Sequence, residues 1–144
     1  MKRAMILLIM ALCVASLFAT NLSQVRNNNL SVSKGETARV ELSFTIPAGQ
    51  YAAFQEESFF TEIDEIAGFS DGNTIYPVNQ AIDTDFGYKK FEGTIVLVKE
   101  VVVDASAASG THELDLFLMY QLCLPDGACF APKEESHKVS ITVQ

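Results

Sequence analysis

Alternation of apolar and polar residues is the feature that most constrains the fold of this 144-residue chain. Apolar side chains occupy every second position from residue 40 to 46, from 114 to 122 and from 139 to 143. A period of two is typical of a β-strand with one buried face. Residues 91–103 are rich in β-branched side chains, which also favours a strand. With turn residues between these segments and no convincing helical pattern, the sequence predicts about seven strands in an antiparallel β-sandwich.

The segments between the clear strands are less regular. Residues 21–29 are polar and predict a loose lead-in, and a short strand follows at 30–33. The mixed pattern at 58–66 favours a strand over a helix. By composition, residues 70–73 predict a turn.

The N-terminus has the pattern of a secretory signal peptide. Lys2 and Arg3 precede an apolar run over residues 4–18, which ends in small residues. We predict a signal peptide at 1–19, cleaved after Ala19 or alternatively after Ala15. No second apolar segment of membrane-spanning length follows, so we expect one exported domain over 20–144 and a periplasmic or otherwise extracytoplasmic location.

The charge of the chain restricts its partners. Ten basic and 18 acidic residues give a formal charge of −8, and losing Lys2 and Arg3 would leave 8 − 18 = −10. A protein this acidic is repelled by nucleic acid and by anionic membrane surfaces. We therefore expect neither as a partner.

Two cysteines remain once Cys13 is removed with the signal peptide, and they flank a predicted hairpin turn. Cys123 and Cys129 are separated by five residues, of which 125–127 read Pro-Asp-Gly, a strong turn signal. The turn would bring the cysteines opposite each other, within bridging distance if their Cβ vectors converge. A disulfide here closes a short loop and contributes only about 2 kcal/mol. It is consistent either with a structural staple or with a redox-active pair.

The residues around this pair carry a resemblance to a known family. Tyr120 and Gln121 precede Cys123, and Cys129 is followed at the third position by Pro132. This motif resembles the N-terminal periplasmic domain of the thiol:disulfide interchange protein DsbD, an immunoglobulin-like domain. The likeness extends over nearly the whole mature chain.

Two further segments are similar to that family. Residues 46–51, ending in Tyr51, look like its glycine- and aromatic-containing segment after an early strand. Residues 83–87, which include Asp85 and Phe86, are similar to its acidic, phenylalanine-containing cap loop. The family's membrane and thioredoxin-like domains are not encoded in this sequence, so a reductant would act in trans.

The resemblance implies a fold and a function. It implies an immunoglobulin-like domain that accepts electrons from a thioredoxin-like protein and passes them to a periplasmic disulfide isomerase or another oxidised protein. By position, Cys129 would be the exchanging thiol, Cys123 the resolving thiol and Phe86 a shield, with Asp85 and Tyr51 beside them. We expect no cofactor and no metal site.

The charges near the cysteines predict a thiol of low intrinsic reactivity. Asp126, and Asp85 if the cap loop folds over, would raise the thiol pKa values by like-charge repulsion. Such a thiol would depend on its partner for geometry, which suits a selective electron carrier. The alternative is a non-enzymatic immunoglobulin-like binding or assembly domain with a structural disulfide. No hydrolase or nucleotide-binding motif is recognisable.

Overall fold

The computed structural model describes residues 20–55 and 57–144 of the chain. The predicted signal peptide lies outside the described residues. No described helix has the length and apolar character needed to cross a membrane. The elements are β1 (Ser23–Val25), β2 (Asn29–Val32), β3 (Thr37–Thr45), β4 (Tyr51–Phe54), β5 (Phe60–Ile63), β6 (Phe69–Ile75), a 3-10 turn (Val78–Gln80), β7 (Ile82–Asp83), β8 (Lys89–Phe91), β9 (Thr94–Val103), β10 (Gly110–Tyr120), β11 (Leu122–Cys123) and β12 (Lys133–Val143).

The strands form two large sheets and one small sheet. The first large sheet has the order β1-β3-β9-β6 and the second has the order β2-β12-β10-β5. Neighbouring strands are antiparallel except for β2 and β12, which are parallel. The small sheet, β11-β4-β8-β7, carries the cysteine hairpin at one side. The predicted all-β sandwich is confirmed.

The core lies between the two large sheets, on the faces that the alternation predicts. Strand β3 buries Val40, Leu42 and Phe44, and β10 buries every second residue from Leu114 to Tyr120. The rings of Phe44 and Tyr120 pack at 4.8 Å between centroids and join the sheets directly. Burial of this apolar stripe supplies most of the stability of such a fold.

Two of the irregular segments form strands that the sequence did not predict. Ser23–Val25, inside the predicted lead-in, pairs with β3 as an edge strand. Phe69–Ile75 runs through the predicted turn at 70–73 and pairs with β9, with a register shift between Asp71 and Thr74. This polar segment is held in a strand because Asp71, Gly72 and Thr74 form hydrogen bonds with residues of neighbouring strands.

Other boundaries differ in detail. The predicted strand at 91–103 is divided at Gly93, whose φ of 67° breaks the extended backbone between β8 and β9. Strand β5 is shorter than predicted, and β12 begins at Lys133, six residues before the alternation that starts at Val139.

A buried lysine explains the conformation of β6. Lys99 of β9 is 1% exposed, and its ammonium donates to the carbonyls of Thr61 (2.9 Å) and Gly72 (2.8 Å) and to Oδ2 of Asp71 (2.8 Å). The irregularity in β6 turns the Gly72 carbonyl and the Asp71 carboxylate toward this cation. All three of its hydrogen-bond donors are therefore satisfied.

A second buried polar network fixes β1. The carboxylate of Glu135 accepts from the backbone N–H groups of Leu22 (2.7 Å) and Ser23 (2.9 Å), from the Ser23 hydroxyl and from the Tyr120 hydroxyl (2.9 Å). Burial and the hydrogen bond to Glu135 raise the pKa of Tyr120. His137 Nε2 lies 2.6 Å from the Ser23 hydroxyl oxygen, and burial lowers the pKa of this histidine although Glu135 opposes the shift.

Candidate functional site

The cysteine hairpin is closed by the predicted turn. The Leu124 carbonyl accepts from the N–H of Gly127 (2.9 Å), and the Leu124 N–H donates to the Ala128 carbonyl (2.8 Å). Gly127 has a φ of 90°, which glycine adopts without the steric cost that other residues meet. The chain then reverses, and Phe130 N–H donates to the Leu122 carbonyl (2.8 Å).

Cys123 and Cys129 lie directly opposite each other and are joined by a disulfide. They form an isolated antiparallel bridge, with their Cα atoms 3.9 Å apart. Their environments differ sharply, since Cys123 is 0% exposed whereas Cys129 is exposed to solvent. A reactant from solution can therefore reach the disulfide at the Cys129 end.

The small sheet has one face in the core and one face under the predicted cap. Leu122, Ala52 and Phe91 pair across the strands and point into the core. Tyr51 lies opposite Cys123 and points to the other face, where it forms a separate small apolar cluster with Ala53, Cys123 and the partly buried Tyr88. Both faces of β4 are consequently covered.

Tyr51 forms a hydrogen-bonded pair with Tyr88 beneath the cap. The two hydroxyl oxygens are 2.7 Å apart, and Lys90 Nζ lies 5.0 Å from the centre of the Tyr51 ring. Burial raises the pKa of Tyr51 to about 12, with further contributions from Tyr88 and from the negative charge of Asp126. Tyr51 is thus a protonated phenol at neutral pH.

The segment between β7 and β8 forms a tight turn organised by Thr84. The Thr84 hydroxyl donates to the Tyr88 carbonyl (2.7 Å) and lies 3.3 Å from the N–H groups of Phe86 and Tyr88, from which it accepts. Gly87 completes the turn with a φ of 84°. These bonds present the Phe86 side chain at the tip of the turn.

The Phe86 ring lies on the cysteine hairpin at Gly127. A methyl group added to Gly127 would have to lie 2.6 Å from Cζ of Phe86, so the ring contacts the backbone there. The same ring stacks on Tyr88 with centroids 6.2 Å apart and remains 56% exposed. Phe86 therefore contacts the hairpin two residues before Cys129, and Cys129 is exposed.

The two acidic residues named from the sequence have different positions. Asp126 lies in the hairpin turn, where its Oδ1 accepts from the N–H of Ala128 (3.0 Å). Asp85 is exposed, and no hydrogen bond or ion pair of its side chain occurs among the described residues. Within the described part of the chain, no group of three or more potential metal ligands is found.

The structure thus brings Cys123, Cys129, Tyr51 and Phe86 together, with Asp85 at the margin. Sequence analysis missed three residues that shape the site, which are Thr84, Tyr88 and Gly127 in its contact with Phe86. The sequence signal available for the turn was Thr84, four residues before Tyr88, with Gly87 between them. The contact of the Phe86 ring with Gly127 joins segments about 40 residues apart and has no local sequence signal.

Comparisons with known proteins identify the fold. No protein-family model matches the sequence, and no curated protein is detectably similar to it. Among solved structures, the reduced N-terminal domain of DsbD from Neisseria meningitidis is similar at a TM-score of 0.51 and 20% identity, over 72% of this chain and 77% of that one. This likeness, together with the observed sheets, confirms the immunoglobulin-like β-sandwich.

Two other structures are more distant. A complex of the DsbD and PilB N-terminal domains from Neisseria meningitidis gives a TM-score of 0.43 and 19% identity, over 69% of this chain and 73% of that one. A type I cohesin–dockerin complex from Clostridium thermocellum gives 0.49 and 12%, over 86% and 100%.

Proposed function

We propose that this protein is a thiol–disulfide exchange module that uses Cys129 and Cys123. The observation that carries the proposal is the asymmetric disulfide, which joins a fully buried residue, Cys123, to an exposed residue, Cys129. Exchange needs an accessible sulfur that can be attacked and a second sulfur that can leave. The hairpin supplies both on an immunoglobulin-like fold similar to that of a DsbD domain.

The reaction is a two-step transfer of two electrons. A thiolate of the donor attacks Sγ of Cys129, the Cys129–Cys123 bond breaks, and Cys123 leaves as a thiolate that takes up a proton. A second donor thiolate then attacks the donor sulfur of the mixed disulfide and releases Cys129, which is protonated in turn. The donor dithiol becomes a disulfide, and the reduced pair passes its electrons to an acceptor disulfide by the reverse sequence.

Two neighbouring residues acquire roles in this proposal. Phe86 limits approach to the disulfide along the Gly127 side of the hairpin, so a partner that displaces the ring gains better access. Tyr51 lies opposite Cys123 and packs in the same small cluster, so it helps to keep Cys123 buried. Asp85, exposed at the rim, contributes negative charge near the approach of a partner.

The proposed donor is a thioredoxin-like protein, and the proposed acceptor is a disulfide isomerase or another oxidised protein. An extracytoplasmic location after removal of residues 1–19 fits this role, because disulfides persist in such compartments. Selectivity for protein partners follows from the acidic surroundings of the pair. Asp126 is within the hairpin itself, and no described cation contacts either sulfur to favour the thiolate.

Trapping the mixed disulfide is the direct test. With Cys123 replaced by alanine, the Cys129 thiolate should attack the disulfide of an oxidised thioredoxin-like partner, and one partner sulfur leaves as a thiolate. Acid quench should preserve this mixed disulfide, because Cys123 is no longer present to displace the partner. The matched control is Cys129→Ala, which leaves the buried Cys123 and should trap far less. Absence of any adduct with Cys123→Ala would count heavily against exchange.

The reduction potential separates exchange from the structural alternative. A value above about −250 mV for the Cys123–Cys129 pair would support electron transfer, whereas one below about −300 mV would indicate a structural staple. In the second case the binding-domain function becomes the better proposal. Replacing both cysteines by alanine would then leave partner binding intact.

A further inference from the structure

Backbone hydrogen bonds alternate along residues 128–131, the extended segment that follows the hairpin turn. Ala128 and Phe130 bond inward, since the Ala128 carbonyl accepts from Leu124 N–H (2.8 Å) and Phe130 N–H donates to Leu122 (2.8 Å). The residues between and after them, Cys129 and Ala131, have no described hydrogen bond to their backbone N–H or C=O groups. In an antiparallel pair this is the pattern of residues whose polar groups point away from the partner strand.

Residues 129–131 therefore form a free edge beside the reactive sulfur. The N–H and C=O groups of Cys129 and Ala131 face outward from the small sheet, beyond β11. Pro132 has no N–H and ends the free edge after two such residues. An unpaired strand edge is a template for another extended chain.

We propose that the free edge accepts an extended backbone segment of the thiol partner as an added strand, which hydrogen-bonds to Cys129 and Ala131. The inference rests on the proposed exchange function and names the way in which the partner docks. Affinity in this mode comes from main-chain hydrogen bonds, so it suits partners of differing sequence. An electron carrier with several protein partners needs this property.

The direction from which a thiolate must attack Sγ of Cys129 favours a thiol partner bound at the free edge. Thiol–disulfide exchange requires the incoming sulfur, Sγ of Cys129 and the leaving Sγ of Cys123 to lie nearly in line. Across the sheet, Cys123 lies on the β4 side of Cys129, and the free edge lies on the opposite side. A segment paired with the free edge thus brings the partner to the side from which in-line attack on Cys129 proceeds.

A small cavity next to the free edge can take a side chain of the added strand. It has a volume of about 130 Å³ and is lined by Gln50, Tyr120, Leu122, Phe130, Ala131 and Lys133. In a paired strand, the residue beside Phe130 would point to the same face as Phe130, which is the face of the cavity. The cavity has both polar and apolar lining and is large enough for a small side chain.

Hydrogen exchange in a trapped complex tests the pairing. In the Cys123→Ala variant, Cys129 is first converted to a mixed disulfide with thionitrobenzoate. The thiolate of a thioredoxin that keeps only its attacking cysteine then displaces thionitrobenzoate and forms the complex. The same variant carrying 2-mercaptoethanol on Cys129 is the control. We expect the amides of Cys129 and Ala131 to exchange at least about tenfold more slowly in the protein complex than in the control. The Phe130 amide, already bonded to Leu122, should change much less.

A proline at position 131 tests how much strand addition contributes to the rate of reduction by thioredoxin. Ala131→Pro removes an outward N–H that has no described internal partner, and Ala131→Ser keeps that N–H as a matched control. Reduction of the disulfide by thioredoxin should be about fivefold slower in Ala131→Pro, the effect of one lost hydrogen bond of typical strength. Reduction by dithiothreitol should proceed at the wild-type rate in both variants, which also shows that the hairpin still folds.

The outcomes separate the two proposals. A mixed disulfide that forms without slower exchange at Cys129 and Ala131, or a wild-type thioredoxin rate in Ala131→Pro, overturns strand addition and leaves the exchange function standing. If no mixed disulfide forms with Cys123→Ala, the exchange function fails and strand addition fails with it.

Discussion

The surroundings of Lys99 and of the cysteine hairpin show two ways in which this fold places a chemically costly group. The Lys99 ammonium is 1% exposed and has every donor satisfied by fixed acceptors on two other strands. The disulfide instead lies on the outer face of a small sheet, bordered by a Phe86 ring that is 56% exposed. The interior charge is held by hydrogen bonds, whereas the reactive pair is covered at its rim by a van der Waals contact alone.

The difference teaches what each region can do. A buried ammonium has no water to accept its hydrogen bonds, so each of its three N–H groups needs an acceptor from the protein. The strands around Lys99 therefore cannot rearrange without a loss of stability. A ring resting on a glycine can move aside at small cost. The inner face of the same small sheet belongs to the core, which keeps the cysteines in place while the outer face is approached.

The largest expected effect is on the interior charge. Lys99→Met keeps the length of the side chain but leaves the Asp71 carboxylate and two carbonyls without their cation. We expect a loss of about 1 to 3 kcal/mol in the free energy of unfolding, measured by urea denaturation, because two carbonyls lose their donor. The Asp71 side chain is 36% exposed and still accepts from the Ile63 N–H, so the loss of its cation adds less. Lys138→Met is the control, because this lysine forms its ion pairs at the surface and should lose little.

If Lys99→Met were as stable as Lys138→Met, the hydrogen bonds to Lys99 would not be what stabilises the irregular part of β6. The contrast between a rigid interior and an adaptable rim would then disappear.

A smaller effect is expected at the contact between cap and hairpin. Gly127→Ala meets two penalties, which are a backbone at φ 90° and a collision with the Phe86 ring. Gly49→Ala is a matched control, since Gly49 has a φ of 77° but open space around it. We expect both variants to lose about 1 kcal/mol of stability from backbone strain.

Only Gly127→Ala should also change the reactivity of the hairpin. Displacement of Phe86 is expected to speed the reaction of the reduced protein with a small disulfide, measured by stopped-flow thiol detection. Equal rates in the Gly127 and Gly49 variants would mean that the contact does not restrict access.

The third prediction concerns pH and the network that fixes β1. Burial lowers the pKa of His137 from its usual 6.5, so the folded state binds fewer protons than the unfolded state. The contribution of His137 to stability is therefore full above pH 6.5 and is lost as the pH falls below that value. Urea denaturation from pH 7.5 to 5.5 should show this decline.

His137→Gln is the control for that decline. Glutamine can still donate a hydrogen bond to Ser23 but does not titrate, so the variant should show a flatter pH profile. An unchanged profile would assign the decline to other groups.

The sequence predicted those parts of the fold in which each strand has one buried face. Strand β4 was missed because Tyr51, Ala52 and Ala53 are all buried, with the core on one side and the cap cluster on the other. Such a strand shows no alternation. Strand β6 was missed because its polar residues bind Lys99, whose position 28 residues from Asp71 is not visible locally.

The candidate site was predictable to a similar extent. The Pro-Asp-Gly turn between Cys123 and Cys129 is a local signal, and the hairpin forms as predicted. The contact of Phe86 with Gly127 depends on how two hairpins meet, which only the folded chain determines. Roles of individual residues in exchange stay predictions.

The smallest expected effect on stability comes from removing the cap itself. Phe86→Ala deletes a ring that is more than half exposed, so the free energy of unfolding should fall by less than about 1 kcal/mol.

The same substitution should have a clearer effect on the rate at which the reduced protein reacts with a small disulfide. If the ring shields the disulfide, the reduced variant should react about fivefold faster with a small disulfide, since a contact on the order of 1 kcal/mol no longer opposes access. Phe130→Ala is the matched control, being a comparably exposed phenylalanine next to Cys129 on the other side of the hairpin. Faster reaction in Phe86→Ala alone would assign the shielding to the cap. Equal acceleration in both variants would mean that Phe86 has no specific shielding role and that any bulky side chain near Cys129 slows the reaction.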